Sequence, residues 1–552
     1  MKRCWLITAL LFCAFFAFAD TADDAAAVNN AIRQGNCAFL YEYINSKNAD
    51  SVLEAKAKRA IDLYSAEDTK AASYRTDTIH LKVGSVPANL SEKVSQDPET
   101  NLKELVSYLI KGASDNFARV KVLHDWICYN IDYDTDLFFK DSSKKQNYCE
   151  VLQTRKAIST GFSALMKEMC TLAGFECVSI DGFAKGYGYN GHLSETVEHS
   201  WNAVNIESKW YLIDVTWDTG YLERKAFIRC YSSEYLFLDS RSFLYTHLPK
   251  EDSFQFYAPV VPASQFEKET KLEGKFFDYG FSLLDNKLAF FNKIDSEFSF
   301  ELKCKTPKAY MATTLFTKNG QIVENATWLN KRAGIITPIV DVPDNSEYKA
   351  RFYMQSKRPF PFSVDIKTVE EVYLPKLQQE YLEKHLTLVE LEIFKDAFYK
   401  VQRNGKYYYA DDPFDTKKLR TVTKIFDLLY PKGTVFTEEI FSFYVSSADS
   451  YEGYGSDNLR YPFQEREFRT SANTNLVSPV TGCLKQGETY KFEVQTSDYT
   501  NFYILLPDSV KWSKKNLQTE LYELEFQIPN GLTSLSIYNT NRKALFTFKV
   551  EP

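Results

Sequence analysis

The sequence has no excess of basic residues. Its 66 lysines and arginines are outnumbered by 73 aspartates and glutamates, which gives a formal charge of −7. Because nucleic acid is held by clustered basic side chains, it is not an expected partner. Glycine and proline are also sparse, at 21 and 18 of 552 residues, whereas 44% of the residues are hydrophobic. This composition excludes a collagen-like or disordered chain and predicts an ordered protein.

After the first 20 residues the sequence has no apolar run of the roughly 20 residues that span a bilayer. One shorter run, residues 5–18, follows Lys2 and Arg3 and ends at Ala17-Phe-Ala19 before Asp20. A short apolar run with basic residues before it and small residues after it is typical of a secretory signal peptide. We therefore expect residues 1–19 to be a signal peptide. The mature protein is then expected to be extracytoplasmic, either secreted or periplasmic, and not an integral membrane protein.

Patterns that bind metal ions are missing from the sequence. Eight cysteines follow the signal segment, and they form no CxxC pair. Their even number permits disulfides in an exported protein; Cys170 and Cys177, which flank a predicted helix-to-strand turn, are the first pair to consider. Four of the histidines are too dispersed to suggest a metal site: His80, His124, His247 and His385. We expect no metal and no cofactor.

The residues that suggest chemistry lie between positions 149 and 220. Leu165, Met166 and Met169 recur at helical spacing until Gly174, which predicts a helix that begins near Ser159. Unpaired N–H groups and the positive end of the helix dipole favour a developing negative charge at such a position. Ser159 is therefore a candidate nucleophile. The alternative interpretation is that it caps the helix, since serine is a preferred N-cap residue.

Two predicted strands follow, over residues 200–206 and 210–216, with a polar turn between them. If the loop holds an even number of residues, His199 and Asp214 lie on one face of the hairpin as diagonal neighbours. A nucleophile at a helix start, facing a histidine oriented by an acid, is the geometry of covalent acyl transfer. Alternatively, His199 is a core histidine and Asp214 a residue at a strand end.

At these residues the chain resembles the transglutaminase-like cysteine hydrolase superfamily, in the branch related to kyphoscoliosis peptidase. The resemblance extends over several ordered segments, which are Asp125-Trp-Ile-Cys-Tyr-Asn-Ile-Asp-Tyr-Asp134, Thr154-Arg-Lys-Ala157, Gly182-Phe-Ala-Lys-Gly186, Glu198-His-Ser-Trp-Asn-Ala-Val204, Trp210-Tyr-Leu-Ile-Asp-Val-Thr-Trp217 and Tyr245-Thr-His-Leu-Pro249. It implies a papain-like core in which His199 and Asp214 are the catalytic histidine and aspartate. It also implies that Ser159 stands where the family has its catalytic cysteine.

That serine bears on whether the protein is an enzyme. A cysteine of ordinary pKa about 8.5 forms a thiolate beside an imidazolium, whereas a serine hydroxyl needs a neutral histidine as its general base. We therefore expect a catalytically degenerate module that binds a protein or peptide, including cell-surface or cell-wall material. The alternatives are a peptidase or acyltransferase that uses Ser159, His199 and Asp214, and a structural surface protein. Trp126, Trp201 and Trp217 are candidates for the cleft wall.

The predicted fold class is α+β, with the papain-like core preceded by helices and followed by β-sandwich modules. A short strand is predicted over residues 76–83 and a polar linker around 85–100. Alternating apolar runs between 298 and 355 predict an immunoglobulin-like sandwich, and runs between 490 and 550 predict a second β module. Between them, an Asn404-Gly405 hairpin and a helix over 415–430 are predicted. The predicted divisions after the signal are residues 20–97, 98–256, 257–370, 371–460 and 461–552.

Overall fold

The computed structural model describes residues 21–46, 49–76, 78–356, 363–365, 369–403, 406–409, 420–421, 424–425, 428–429, 435–455 and 458–552. The predicted signal peptide, the Asn404-Gly405 turn and most of the helix predicted over 415–430 lie outside these ranges. Among the described helices, none is both long enough and apolar enough to cross a membrane.

The chain begins its described part with three helices that pack together, as the sequence predicts. They are α1 (Thr21–Gln34), α2 (Cys37–Ile44) and α3 (Ser51–Ser65). Asn36 and Asp50 cap α2 and α3 because their side chains accept hydrogen bonds from the first free backbone N–H groups. Tyr64 at the end of α3 stacks on Phe256, which attaches this layer to the following domain.

The segment predicted as a strand and linker is different in the structure. After α4 (Thr69–Ala72), the described residues of 76–83 form no strand, and a 3₁₀ turn covers Val83–Ser85. α5 (Ala88–Gln96) and α6 (Pro98–Ile110) occupy the predicted linker. Leu90 and Val94, one helical turn apart, bury α5 in the core of the next domain, and this outweighs its polar composition. The core domain therefore begins before residue 98.

The core domain combines helices with one five-stranded antiparallel sheet, which confirms the predicted α+β class. Its sheet has the order β8-β5-β4-β3-β9, and two short strand pairs, β1 with β2 and β6 with β7, lie beside it. The helices are α7 (Asn116–Asn130), α8 (Thr135–Asp141), α9 (Tyr148–Thr154), α10 (Ser159–Leu172), α11 (Val215–Thr219) and α12 (Ser240–Phe243). The strands are β1 (Asp132–Tyr133), β2 (Lys156–Ala157), β3 (Cys177–Ala184), β4 (His199–Ile206), β5 (Lys209–Ile213), β6 (Gly220–Glu223), β7 (Ala226–Arg229), β8 (Leu236–Leu238) and β9 (His247–Pro249).

The sheet is covered on both faces, so its strands are buried along nearly their whole length. Val204 and Ile213 face α10 and pack with Phe162 and Met166 of that helix. Residues of the opposite face, among them Trp201, pack against the segment that follows α12. α10 ends at Leu172, and Gly174 with φ +87° follows as the predicted C′ glycine.

The cysteines of the described residues are all free thiols. Cys170 and Cys177, the pair considered first for a disulfide, are buried thiols in hydrogen-bonding contact, and this contact raises the pKa of Cys170 well above its ordinary value. The disulfide considered from the sequence is therefore absent.

The region after the core is a β-sandwich, in agreement with the alternating runs. Two short helices, α13 (Ala263–Lys268) and α14 (Gly274–Asp278), lead into it after a 3₁₀ turn at Asp252–Gln255. One sheet has the order β10-β13-β17-β12 with β16 on β17, and the other has the order β11-β22-β18-β14-β15. The strands are β10 (Ser282–Leu283), β11 (Phe291–Ile294), β12 (Phe298–Ser299), β13 (Leu302–Lys303), β14 (Met311–Thr317), β15 (Ile322–Val323), β16 (Thr327–Arg332), β17 (Ile335–Val340), β18 (Glu347–Gln355), β19 (Ser363–Asp365), β20 (Phe398–Arg403), β21 (Lys406–Tyr409) and β22 (Thr437–Ser447).

The predicted boundary at residue 370 divides this sandwich. β22 pairs with β18 and with β11, so it is a central strand of the second sheet. Between β18 and β22 lie a π-helical turn (Val369–Tyr373), α15 (Leu374–Leu382), α16 (Leu388–Ala397) and the three-stranded sheet β19-β21-β20. The cost of closing a loop grows slowly with its length, so an insertion of this size is tolerated inside a sandwich.

A second β module follows, with strands at the predicted runs. Its two sheets have the orders β23-β32-β31-β27-β28, with β25 on β32, and β24-β26-β30-β29. Trp328 of β16 packs in the core of this module on Phe468 and Phe546, so the two modules share a buried side chain. The elements are β23 (Phe463–Gln464), α17 (Arg466–Thr470), β24 (Thr474–Ser478), β25 (Cys483–Lys485), β26 (Thr489–Thr496), β27 (Phe502–Leu506), β28 (Ser509–Trp512), β29 (Lys514–Lys515), β30 (Tyr522–Gln527), β31 (Ser534–Asn539) and β32 (Ala544–Glu551).

Gly182 lies where β3 and β9 approach each other closely. A Cβ atom at this position would lie 2.3 Å from Leu248 O, 2.4 Å from the Trp201 ring and 2.8 Å from Pro249 Cα. Since two of these atoms are backbone, Gly182→Ala should destabilise the core domain by about 1–3 kcal/mol. Hydrogen exchange of the β3, β4 and β9 amides measures this loss. Gly186→Ala is the control, because its Cβ would meet Trp217 at an ordinary 3.4 Å; equal protection in both variants would contradict the close approach.

Candidate functional site

The hairpin of β4 and β5 brings His199 and Asp214 together. Its turn consists of Glu207 and Ser208, both with positive φ (54° and 70°), as in a two-residue hairpin turn. Asn202 pairs with Ile213, so His199 lies diagonally across from Asp214, and the predicted parity is confirmed. The strand predicted to reach Thr216 is too long. It ends at Ile213, and Asp214 is instead the N-cap of α11.

Asp214 is a buried carboxylate whose two oxygens are both occupied. Oδ2 lies 2.7 Å from His199 Nε2, and Oδ1 accepts hydrogen bonds from the backbone N–H groups of Thr216 (2.8 Å) and Trp217 (3.2 Å). Burial alone would raise the pKa of this carboxyl, but the imidazoles that face it hold the pKa well below its ordinary value. Asp214 is therefore a charged acceptor that fixes the ring of His199.

His247 is a third member of the site that sequence reasoning missed. Its Nε2 lies 3.0 Å from the same Oδ2 of Asp214, and its Nδ1 lies 2.9 Å from the Thr246 hydroxyl oxygen. In the sequence, His247 is one of four histidines that are too dispersed to suggest a metal site, and no other role was predicted for it. One signal was available, since it lies in Tyr245-Thr-His-Leu-Pro249, one of the segments that carry the resemblance.

The protonation of the two histidines follows from their shared acceptor. A carboxylate only accepts hydrogen bonds, so each contact with Asp214 requires an Nε2–H. Burial lowers the pKa of His247 to about 4, which keeps this ring neutral and leaves its Nδ1 to accept from the Thr246 hydroxyl. In the neutral form of His199 the same donation leaves Nδ1 as a base. One ring nitrogen then donates to the acid and the other accepts a proton, as in the acyl-transfer triad, with the two nitrogens exchanged relative to the serine proteases.

Ser159 lies at the first residue of α10, as predicted, but it does not cap the helix. The N-cap residue is Ile158, and no side chain caps this end. The helix start is held by Gln146, whose Oε1 accepts from Ile158 N at 2.7 Å, and by Thr160, whose hydroxyl donates to Lys144 O at 2.8 Å. Ser159 is 3% exposed, and its hydroxyl forms no hydrogen bond with the part of the chain that the structure describes. The capping interpretation is therefore wrong.

α10 is attached to the strand that carries His199 by two hydrogen bonds. The Ser163 hydroxyl donates to Trp201 O at 3.0 Å, and the Asn202 amide donates to Ser163 O at 3.0 Å. Ser163 lies one turn after Ser159, and Trp201 lies two residues after His199. The start of α10 and the start of β4 are therefore held in one fixed relation.

The three tryptophans expected at the cleft have different environments. Trp126 is buried in the helical core, with the Arg155 guanidinium 5.2 Å from its ring. Trp201 is also buried and stacks behind His199 at 6.1 Å. Trp217 is half-buried and contacts both His199 (5.8 Å) and His247 (4.5 Å). Of the three, Trp217 alone has the exposure of a cleft-wall residue.

A second buried polar cluster supports α11 from the other side, and no sequence pattern pointed to it. His124 bridges two buried carboxylates, with Nδ1 2.9 Å from Asp125 and Nε2 3.0 Å from Asp218. Burial lowers the pKa of His124, but Cys128, Asp125 and Asp218 together raise it well above its ordinary value. The resulting imidazolium anchors α11, which begins at Asp214, to α7.

The donor atoms of His199, Asp214 and His247 lie within 4.8 Å of one another, which is close enough for a metal ion. However, the two N···O distances of 2.7 and 3.0 Å are those of hydrogen bonds. A shared proton therefore accounts for each contact. A second group, Glu380, Glu383 and His385, lies at the surface, where acidic clusters are common.

Comparison with known proteins places these residues in a known family domain. The transglutaminase-like superfamily matches residues 103–215, a range that contains Ser159, His199 and Asp214. Kyphoscoliosis peptidase of Mus musculus is 27% identical over 260 residues, which cover 46% of this chain and 39% of that protein. Lim and transglutaminase domain protein ltd-1 of Caenorhabditis elegans is 27% identical over 199 residues, 34% of this chain and 27% of its own. A TGase of known structure is 18% identical over 23% of this chain and 36% of its own, with a TM-score of 0.17.

The buried state of His247 predicts a pH-dependent stability. Its pKa is about 4 in the folded chain and about 6.5 when unfolded. Between these values the unfolded chain binds the extra proton, so stability is lost as the pH falls from 6.5 towards 4, by up to about 3 kcal/mol. In His247→Gln this loss should be absent.

Melting temperatures of the parent and His247→Gln at pH 7, 6, 5 and 4 measure the effect. The gap between the two proteins should narrow as the pH falls. His192→Gln, which changes an exposed histidine, is the control and should follow the parent. Parallel curves for all three proteins would mean that His247 is not buried as a neutral ring.

Proposed function

Since residues 103–215 of this chain are a transglutaminase-like domain related to that of kyphoscoliosis peptidase, we propose that the domain binds an extended polypeptide without cleaving or cross-linking it. The observation that carries this proposal is the intact hydrogen bond between Asp214 and His199, which lies on a strand that is hydrogen-bonded to the helix that begins at Ser159. The matched region is 39% of the length of the kyphoscoliosis peptidases, so activity of the whole relative does not transfer to this chain.

Physical chemistry supports binding over turnover. By the resemblance, Ser159 stands where the family has a cysteine that ionises beside its histidine. A serine hydroxyl does not ionise under those conditions, and it reacts only while a neutral histidine removes its proton. A site built to stabilise a thiolate and an imidazolium therefore loses its nucleophile when cysteine becomes serine, while the groups that position a peptide remain.

A second candidate function is a hydrolase or acyltransferase with Ser159 as nucleophile. It is favoured by the hydroxyl of Ser159, which is not used for capping, and by the Nε2–Asp214 contact, which orients Nδ1 of His199 as a general base. A purely structural surface protein is the third possibility, and it would be favoured if no ligand protected the amides around His199 from hydrogen exchange.

Turnover measurements separate the first two candidates. The full chain is incubated with a quenched-peptide library, and with glutamine-containing peptides together with a primary amine. Binding without turnover supports the proposal. Turnover that disappears in both Ser159→Ala and His199→Ala would overturn it in favour of the serine enzyme.

We also propose that the protein is exported and meets its partner outside the cytoplasm, at a cell surface or cell wall. Residues 1–19 support this by their composition. N-terminal sequencing of protein from the native host should begin at Asp20, and an intact Met1 would contradict export by cleavage.

A cysteine at position 159 tests whether the rest of the constellation is still in place. In Ser159→Cys, the helix terminus and the imidazolium of His199 both favour a thiolate. Alkylation of this thiol by iodoacetamide should reach half its maximal rate well below pH 8.5. Adding His199→Ala should remove most of that shift.

The chain has other thiols, so alkylation must be read at residue 159 by mass spectrometry. Cys149, a partly exposed free thiol, is the internal reference. A thiol at 159 that titrates near 8.5 with or without His199 would mean that α10 and β4 no longer form a site. A reactive thiolate without acyl transfer would place the defect in oxyanion stabilisation or substrate access.

A further inference from the structure

A cavity of about 390 Å³ lies where the core domain meets the first β-sandwich. Its charged lining residues are four lysines and two glutamates: Lys185, Lys271, Lys275, Lys349, Glu273 and Glu439. The aromatic rings of Tyr189, Phe290 and Tyr444 complete the wall. The cavity therefore combines an excess of positive charge with apolar surface.

The two glutamates are already neutralised by other cations. Glu273 forms ion pairs with Lys271 at 2.5 Å and Lys275 at 3.3 Å. Burial alone would raise the pKa of this carboxyl, but the two lysines lower it to about 2. Glu439 pairs with Arg351 at 3.4 Å. Neither glutamate is therefore available to pair with the remaining two lysines of the cavity.

Lys185 and Lys349 have no carboxylate within salt-bridge distance among the described residues. The Lys185 side chain is fully buried; its ammonium donates to the Glu269 backbone oxygen at 2.6 Å and lies 4.3 Å from the Phe266 ring. The Glu269 carboxylate is occupied by Arg241. Burial without a carboxylate partner lowers the pKa of Lys185 to about 7, and an anionic occupant of the cavity would hold this lysine in its charged form.

The sandwich supplies Lys349 from the face of its sheet that is turned towards the core domain. In β18 the alternate residues Tyr348, Ala350 and Phe352 are buried in the sandwich, so Lys349 points the other way. It lies directly opposite Tyr444 of β22, and its ammonium is 5.5 Å from that ring. The cavity is thus completed by two strands that are distant from the core domain in sequence.

One aromatic ring separates the cavity from the site at His199. The ammonium of Lys271, which lines the cavity, lies 5.1 Å from the Trp217 ring, and that ring also contacts His199 and His247. Gly186, also in the lining, lies against the same ring, because a Cβ on it would be 3.4 Å from Trp217. A polypeptide bound at His199 could therefore place a neighbouring side chain in the cavity.

We propose that this cavity is a subsite for an acidic side chain, so that the polypeptide bound by the transglutaminase-like domain carries a glutamate or aspartate beside the segment at His199. This inference rests on the proposed function. A single carboxylate matches the two lysines of the cavity that have no carboxylate partner among the described residues, Lys185 and Lys349. The apolar rings match the methylene stem of the acidic side chain.

A positional-scanning library tests the inference. Acetylated hexapeptide amides, with one position fixed as Glu or Gln and the others mixed, are offered to the full-length chain, and retained peptides are quantified. The parent should retain Glu peptides about tenfold better than Gln peptides at one position, since a hydrogen bond to a charged group in a buried site has about that effect. Lys349→Gln should remove most of this preference without weakening retention of Gln peptides.

Lys293→Gln is the matched control, because Lys293 is an exposed lysine on β11 of the same sheet and does not line the cavity. It should keep the preference. Lys271→Gln provides a second cavity variant and should also weaken retention of Glu peptides. Circular dichroism and melting temperature verify that each variant is folded.

The remaining outcomes are distinguishable. Retention of peptides without any preference for Glu would overturn the subsite and leave the proposed function standing. Retention of no peptide at all would overturn both. Inorganic phosphate or oligogalacturonate that displaced Glu peptides more strongly than N-acetylglutamate amide did would show that the cavity takes a different anion, and would also overturn the assignment to a peptide.

Discussion

The buried carboxylate of Asp214 is the interaction on which the site depends. An ionised carboxylate inside a protein is stable only when its oxygens are hydrogen-bonded, and Asp214 receives donors from two imidazoles and two backbone N–H groups. Those donors belong to different elements: His199 to β4, His247 to β9, and Thr216 and Trp217 to α11. The charge of one residue thus fixes the end of β5, the far edge of the sheet and a helix start relative to one another.

Asp214 and His199 stabilise the fold as well as forming the candidate site. Their presence alone is therefore not evidence of catalysis. If either histidine were lost, a charged group would remain buried with one donor fewer, which is strongly destabilising. The pair therefore contributes to stability whether or not the chain turns over a substrate. The residue that discriminates is Ser159, because its hydroxyl neither caps α10 nor bonds to any other described residue. The side chain at position 159 can therefore change without the loss of a hydrogen bond, and whether the site has a nucleophile depends on that side chain.

Sequence reasoning succeeded where the relevant contacts are local. The helix from Ser159, the parity of the β4–β5 hairpin and the alternating strands all follow from patterns within about 15 residues. It failed where partners are distant along the chain. His247 meets Asp214 across 33 residues, His124 meets Asp218 across 94, and β22 joins β18 after an insertion. The single-residue error at the cap has another cause, because Ile158 keeps extended backbone angles as the N-cap residue and its own N–H donates to Gln146 Oε1, so Ser159 is already the first helical residue.

The core domain and the first β-sandwich contribute different residues to the candidate site and to the cavity. The range that matches the transglutaminase-like superfamily ends at residue 215. It therefore contains His199 and Asp214 but not His247, Lys271 or Lys349. The shared part of the fold therefore supplies a hydrogen-bonded imidazole that any extended chain could approach. The residues that could distinguish one bound chain from another come from the segment between α13 and α14, which carries Lys271, and from β18 and β22 of the sandwich. Because β22 reaches that position only after the insertion closes, the charge lining the cavity depends on a complete and docked sandwich, and the proposed preference for an acidic side chain is a property of the domain junction rather than of the core domain alone.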